Sequence, residues 1–213
     1  KDERQPEPHF QAKIIQALAE LPQPVVACIR GHCYTGGLEL ALAADIIIAA
    51  RSAKFGDTHS KWGLSPLWGM TQRLPRRVGL SKAKQMMFTS DIFTAEMAER
   101  MGLVDMCVDD AELEQATNDL AQRIAVNSTY SNQVNKSLLG ATDGMTAQAG
   151  LAYELAHSPG ACYDARERVA SFGKNDGGHA PRCLRPPSIL CGGWTFSTRL
   201  IHVQPGILTD NSL

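Results

Sequence analysis

A glycine pair followed by a glutamate is the first feature of the sequence that could do chemistry. Gly36 and Gly37 open a stretch rich in alanine and leucine, and Glu39 follows one helical turn later. Glycine is a poor helix former, so its presence at a helix start needs a reason. Amide groups at a helix start have no partner within the helix and lie at its positive end, where they can face an oxyanion. The pattern therefore indicates acid or base chemistry beside a carbonyl group, or else a tight turn that only allows close packing.

A second group of chemically useful residues lies in the loop that follows. Asp57 and His59 are two positions apart in a stretch that lacks a helical or strand pattern. An imidazole can give or take a proton near neutral pH. If the chain is extended there, both side chains point to one side, and Asp57 could hold the imidazole in one tautomer. A histidine in a loop is otherwise an ordinary surface residue.

The elements around these residues have the pattern of an α/β unit. The apolar run Pro24 to Ile29 is typical of a strand buried on both faces. The spacing then predicts a helix over residues 36–43 and a second buried strand over residues 46–49. Strand, turn, helix and strand in this order form an α/β unit.

Helices are predicted for most of the chain beyond residue 80. Ser81 and Thr94 are candidate N-caps, for helices over residues 82–89 and 95–101, and Gly102 is a candidate C-terminal cap. A brief strand over residues 103–108 follows. We then expect Asp110 to cap a longer helix, in which one face comprises Leu113, Thr117, Leu120 and Ile124. Two further helices are predicted over residues 131–139 and 146–156.

Composition and charge exclude several function classes. The 213 residues carry a net charge of -1, so no overall positive field attracts nucleic acid or an anionic membrane. The six cysteines have no zinc-site spacing, and we expect reduced thiols in a reducing compartment. No phosphate-binding or dinucleotide fingerprint is present, and no metal ligands are spaced for binding. After Gly173 the composition shifts toward glycine and proline, and residues 174–213 are expected to form an atypical tail of low order.

Two longer stretches resemble one known family. The stretch PVVACIRGHCYTGGLELALAADIIIAARSAKFGDTHSKWGLSPLWGMTQRLPRRVG is similar to the signature region of the enoyl-CoA hydratase/isomerase family, the crotonases, and TAEMAERMGLVDMCV resembles a later segment of that family. The likeness runs from about residue 1 to residue 172. It implies an α/β fold, a spiral of ββα units that is partial here, followed by a helical C-terminal region. The expected domains are a partial core over residues 1–80, a helical trimerisation region over residues 81–173, and the tail over residues 174–213.

The resemblance also implies roles for individual residues. The amide of Gly36 would be one of two donors that hold the thioester oxygen as it becomes an enolate, with Gly37 allowing the thioester to approach. Glu39 would be the first catalytic glutamate of an enoyl-CoA hydratase. Trp62 and Trp68 are expected to be walls of an acyl pocket or part of the core rather than reactive groups, because a tryptophan ring brings a large apolar area. The cluster Arg73, Arg76 and Arg77 would either contact CoA phosphates or form a solvated helix face.

One departure from the family pattern concerns the second acid or base. Where hydratases have a glutamate, in a segment of the form FG-x-P-E, this chain reads FGDTH, so His59 takes that position. His59 could replace the lost acid, and we therefore expect hydration of a 2-enoyl-CoA. It could equally indicate a related isomerase or hydrolase. Asp57 is expected to contribute to substrate binding or to the orientation of His59.

A second departure concerns what precedes the signature region. The family has a strand-rich segment there, resembling S-G-G-x-F-S-A-G-A-D, that supplies the other oxyanion donor. We expect the chain to lack it, so the alternative to an enzyme is a truncated, non-catalytic family member. By the resemblance the partners are an acyl-CoA thioester, with coenzyme A as part of the substrate and no separate cofactor, and further copies in a homotrimer or hexamer. The expected location is the cytoplasm or, alternatively, the mitochondrial matrix.

Overall fold

The computed structural model describes residues 9–171 and the strand Thr198–His202, and these form a mixed α/β protein. The predicted tail over residues 174–213 lies outside the described residues except for that strand. The described chain divides into two compact units. The first contains residues 9–21 and 25–118, and the second contains residues 22–24 and 119–171.

The first unit holds two small sheets and most of the short helices. Its elements up to the start of α6 are, in chain order, α1 (Phe10–Ala19), β1 (Val25–Ile29), β2 (His32–Tyr34), α2 (Gly36–Ala41), β3 (Ile46–Ala50), β4 (Lys54–Gly56), a 3₁₀ turn (Ser60–Trp62), α3 (Met70–Val78), α4 (Leu80–Thr89), β5 (Phe93–Thr94), α5 (Ala95–Arg100) and β6 (Met106–Val108). The remaining elements are α6 (Leu113–Ala125), α7 (Thr129–Thr142), α8 (Ala147–His157), α9 (Ala165–Ser171) and β7 (Thr198–His202).

The strands around the predicted site are mostly parallel. The larger sheet has the order β6-β3-β1-β7, with β1 parallel to β3 and β3 parallel to β6. The smaller sheet has the order β2-β4-β5, with β2 parallel to β4 and β5 antiparallel to β4. Because β2 precedes α2 and β4 precedes residue 57, the parallel pairing brings the start of α2 next to the loop that holds His59.

The core explains why the sequence has continuous apolar runs. All five residues of β1 are buried, as the run from Pro24 to Ile29 predicts for a strand covered on both faces. Burying such side chains is the main favourable contribution to folding. The same core includes Leu38 from α2, which packs that helix onto the sheets, together with Phe55 from β4 and Leu74 from α3.

Several local predictions are confirmed. The Thr94 side chain accepts a hydrogen bond from the amide of Met97 and so caps α5. Gly102, directly after that helix, has a φ of 82°, a backbone conformation that favours glycine. The helix predicted over residues 146–156 is found as α8, and the Thr146 side chain caps it by accepting from the amide of Ala149. In the described part of the chain, no disulfide bond is formed by Cys28, Cys33, Cys107 or Cys162.

Other local predictions are wrong, and each has a physical reason. Ser81 does not cap a helix, because α4 already begins at Leu80 with Gly79 as its N-cap. Asp110 does not cap α6, because its carboxylate instead bonds the amide and hydroxyl of Ser52, 58 positions earlier in the chain. The helix predicted over residues 36–43 ends at Ala41. The strand predicted over residues 103–108 is confined to β6.

None of the helices in the described part of the chain has the length and apolar character that crossing a lipid bilayer requires.

The buried thiol of Cys33 provides a test of the packing around β2. Burial raises the pKa of this thiol to about 12, so the reactive thiolate is scarce near neutral pH. We expect iodoacetamide at about pH 8 to leave Cys33 unmodified in the folded chain and to label it after denaturation. Peptide mass spectrometry measures both, with the half-buried Cys162 as an internal comparison. Rapid labelling of Cys33 in the folded chain would contradict this packing.

Candidate functional site

Glu39 is a buried carboxylate that is held by backbone amides. Its side chain is 2% exposed. One oxygen, Oε1, accepts hydrogen bonds from the amide of Trp68 at 2.8 Å and from the amide of Met70 at 3.1 Å. Met70 is the first residue of α3, so Glu39 satisfies an amide that the helix itself leaves unpaired. The carboxylate thereby ties the loop before α3 to α2.

His59 and Asp57 form a buried pair of side chains in the same region. The Nδ1 atom of His59 lies 2.5 Å from Oδ1 of Asp57, and the amide of His59 donates to the same oxygen at 3.2 Å. Asp57 is fully buried and His59 is 7% exposed. A carboxylate at this distance favours the tautomer with a proton on Nδ1, which leaves Nε2 available for proton exchange.

Glu39 and the pair formed by His59 and Asp57 lie close to each other. Nε2 of His59 lies 3.8 Å from Oε2 of Glu39, the oxygen that does not bond the amides of Trp68 and Met70. This separation is too long for a direct hydrogen bond, and a third group that lies beside the two atoms can bond both of them. The structure therefore brings the sequence-predicted residues Glu39, Asp57 and His59 together in one site.

The start of α2 forms the second side of this site. Gly36 is the first residue of α2, and in residues 9–171 no acceptor is bonded to its amide. The preceding residue, Thr35, has a φ of 50°, which is a strained backbone conformation for a threonine. Bonds to the loop after β4 hold it there: its amide donates to the carbonyl of Gly56 at 3.0 Å, and its hydroxyl bonds the hydroxyl of Thr58.

The two glycines have different surroundings. A Cβ atom on Gly36 would lie 2.5 Å from Cζ3 of Trp68 and 3.3 Å from two further atoms of the same ring. Residue 36 must therefore be glycine for the Trp68 indole to lie where it does. A Cβ atom on Gly37 would have no neighbour within 4 Å. The space beside Gly36 is thus filled by an aromatic ring, whereas the space beside Gly37 is open.

Arg73 holds the loop before α3 from its other side. Its Nη1 atom donates to the carbonyl of Trp68 at 2.7 Å, and its Nη2 atom donates to Gln16 at 2.7 Å. Burial lowers the pKa of the Arg73 guanidinium, while the charges of Glu39 and Glu20 oppose that shift. Gly69 makes room for this arrangement, because a side chain there would collide with the guanidinium.

The other sequence-predicted side chains lie outside this cluster. Trp62 is 65% exposed, and the ammonium group of Lys61 lies 5.6 Å from its ring centroid. Arg76 bonds the carbonyl of Gln72, and Arg77 forms an ion pair with Asp105 at 2.9 Å. Each of these two arginines therefore has a partner within the protein.

The sequence did not predict that Thr35 and Thr58 belong to the site. It also did not predict that Arg73 holds the loop before α3. The side-chain bond between the two threonines depends on the pairing of β2 with β4, which residue types alone do not reveal. In the described part of the chain, no group of three histidine, cysteine or acidic side chains is arranged to hold a metal ion. The groups that line the site are two carboxylates, an imidazole and the amide of Gly36.

Comparisons with known proteins identify the family to which the chain is similar. The model of the family described as Enoyl-CoA hydratase/isomerase matches residues 2–172. The chain is 35% identical over 164 residues to a crotonyl-CoA hydratase of Syntrophomonas wolfei subsp. wolfei, covering 75% of this chain and 62% of that protein. It is 34% identical over 165 residues to a 1,2-epoxyphenylacetyl-CoA isomerase of Escherichia coli, covering 76% of this chain and 63% of that protein. The chain thus spans less than two thirds of the length of these relatives.

A solved structure supports the same conclusion about the fold. The crystal structure of an enoyl-CoA hydratase from Bacillus anthracis superposes with a TM-score of 0.73 at 31% identity, covering 80% of this chain and 69% of that one. The chain therefore has the crotonase fold, as the sequence resemblance predicts.

The different surroundings of the two glycines lead to a prediction about stability. Gly36→Ala forces a methyl group into the Trp68 ring and should lower the free energy of unfolding by about 1–3 kcal/mol. Gly37→Ala adds a methyl group in open space and should be neutral or stabilising by up to about 1 kcal/mol, because alanine favours helices. Urea unfolding monitored by circular dichroism measures both.

A double variant identifies the cause of the Gly36 effect. In the Trp68→Ala background, Gly36→Ala should cost less than it does in the original chain, because the colliding ring is gone. Equal costs in the two backgrounds would show that the ring is not the obstacle.

Proposed function

The chain belongs to the enoyl-CoA hydratase/isomerase family, and we propose that it adds water to the double bond of a 2-enoyl-CoA thioester. The observation that supports this reaction best is the 3.8 Å separation between Nε2 of His59 and Oε2 of Glu39, inside a buried site. Hydration needs one group that takes a proton from water and another that gives a proton to the adjacent carbon. A carboxylate and an imidazole on either side of a gap can divide these tasks.

In the proposed reaction, a water molecule bonded to both side chains attacks C3 of the enoyl group. Glu39 accepts a proton from this water as the oxygen–carbon bond forms, and the π electrons move onto the thioester oxygen. The amide of Gly36 donates to that oxygen and stabilises the enolate. Protonated His59 then gives a proton to C2, which yields a 3-hydroxyacyl thioester. Proton transfer from Glu39 to His59 restores the starting state.

We assign Asp57 to positioning rather than to substrate binding. Its carboxylate is fully buried and accepts two bonds from His59, so it is directed toward the imidazole. Because this carboxylate holds Nδ1, Nε2 is the ring nitrogen that lies toward Glu39 and donates to C2 in the proposed reaction. A group that acts through another in this way commonly contributes a factor of about 10–100 to activity.

The proposed substrate class brings its own coenzyme A, so we propose no additional cofactor. We also propose that the full protein assembles as a homotrimer or hexamer, following the family resemblance. Crotonyl-CoA is the appropriate first substrate, since the relative from Syntrophomonas wolfei is described as a crotonyl-CoA hydratase.

Isomerisation is a second candidate reaction, because His59 replaces the family's second glutamate. Isomerisation of an acyl-CoA also needs proton removal and return beside an enolate, and the Escherichia coli relative is described as an isomerase. Hydrolysis of the thioester is the third outcome. Mass spectrometry of the product distinguishes them: hydration adds one water, isomerisation leaves the mass unchanged, and hydrolysis releases free CoA.

Substitutions at the two proton-handling positions test the hydratase assignment. Glu39→Gln keeps an oxygen acceptor for the amides of Trp68 and Met70 but removes the base, so kcat should fall by about 100-fold to 10,000-fold. His59→Ala should cause a loss in the same range. His59→Glu restores a carboxylic acid and should be more active than His59→Ala. Crotonyl-CoA turnover that survives both Glu39→Gln and His59→Ala would contradict the assignment.

The role of Asp57 is tested by a substitution of nearly equal size. In Asp57→Asn the amide nitrogen can donate to Nδ1 of His59, which favours the opposite tautomer, and kcat should fall by about 10-fold to 100-fold with little change in KM. The NMR signals of the His59 ring nitrogens should exchange their protonated and unprotonated character. An unchanged tautomer would contradict the positioning role.

A further inference from the structure

The indole of Trp68 occupies the space directly beside the amide that would hold the thioester oxygen. Three of its ring atoms lie within 3.3 Å of the position that a Cβ on Gly36 would take. The backbone of the same residue donates to Oε1 of Glu39. One residue therefore contacts both the helix start that would bind the oxyanion and the carboxylate that would act on the substrate.

The backbone of Trp68 is fixed on both sides. Its amide is bonded to Glu39 at 2.8 Å and its carbonyl to Arg73 at 2.7 Å. The residue can therefore not retreat by a backbone shift without breaking bonds to a buried carboxylate. A substrate that is too bulky must instead displace the ring itself.

The positions beside the two glycines differ. A Cβ on Gly37 would have no neighbour within 4 Å, whereas a Cβ on Gly36 would meet the indole. In the proposed reaction the acyl carbonyl lies at the amide of Gly36, so the indole beside Gly36 becomes a neighbour of the acyl group. A larger acyl group then has less room on the side that the indole occupies.

We propose that Trp68 limits the size of the acyl group, so that the site takes short, unbranched 2-enoyl-CoA thioesters and excludes long ones. This inference rests on the proposed function for the class of substrate. Trp68 is in this view a specificity-determining residue, because its ring touches the substrate without exchanging a proton.

Chain-length preference tests this directly in the full chain. Hydration of crotonyl-CoA and of trans-2-decenoyl-CoA is measured for the original chain, Trp68→Phe and Trp68→Ala, and each kcat/KM for the long substrate is divided by that for the short one. We expect this ratio to rise at least about tenfold in Trp68→Ala, since removal of a half-buried indole from the space beside Gly36 is a large change in volume. Trp68→Phe should give an intermediate ratio. Phe88→Ala, at a 72% exposed position on α4, is the matched control and should leave the ratio unchanged.

Binding separates the size limit from the chemistry. Dissociation constants of butyryl-CoA and decanoyl-CoA, measured by isothermal titration calorimetry on the same variants, should show the same shift in preference even if no variant hydrates an enoyl group. Shifted binding without turnover would overturn the proposed function alone. Crotonyl-CoA turnover with an unchanged ratio in folded Trp68→Ala would overturn the size limit alone, and no binding of either thioester would overturn both.

Discussion

The buried carboxylate of Glu39 is the constraint on which the rest of the site depends. A charge removed from water is costly unless hydrogen bonds replace the lost hydration. Glu39 receives two such bonds on Oε1, from the amides of Trp68 and Met70, and Arg73 adds a favourable positive charge nearby. Because both amides donate to Oε1, the other oxygen, Oε2, stays available on the side of His59. The same bonds fix the loop before α3, so the structural role of this carboxylate and its proposed chemical role are inseparable.

The pair formed by Asp57 and His59 has a different physical explanation from the bonds of Glu39. Both bonds from His59 fall on Oδ1 of Asp57, and within the described residues the buried Oδ2 atom has no hydrogen-bond partner. A buried polar atom without a partner costs about 1–3 kcal/mol, so this carboxylate is not explained by stability. Its geometry is explained if the imidazole must be held in one tautomer. The unpartnered Oδ2 atom of Asp57 thus lowers stability close to the site where proton exchange is proposed.

Much of the fold near the site could be predicted from the sequence, because the relevant signals are local. The apolar run of β1 and the cap at Thr94 depend on neighbouring residues, and both are found where the pattern predicts them. The cap predicted at Asp110 failed because Ser52 competes for its carboxylate across the fold. For the same reason the bonds from Glu39 to the loop before α3 could not be predicted, since they join residues about thirty positions apart. Local patterns placed the functional groups on their elements, whereas only the folded chain defines their distances.

The glycine pair illustrates how one sequence feature can have two physical causes. At residue 36 glycine is required because an aromatic ring fills the space that a side chain would need, which is an internal packing constraint. At residue 37 no neighbour fills that space, so packing within the described chain does not account for the glycine. A glycine that packing does not require, at the start of a helix with an unbonded amide beside it, is explained if another molecule approaches the backbone there. The space beside Gly36 is thus closed by the indole of Trp68, whereas the space beside Gly37 is open to another molecule.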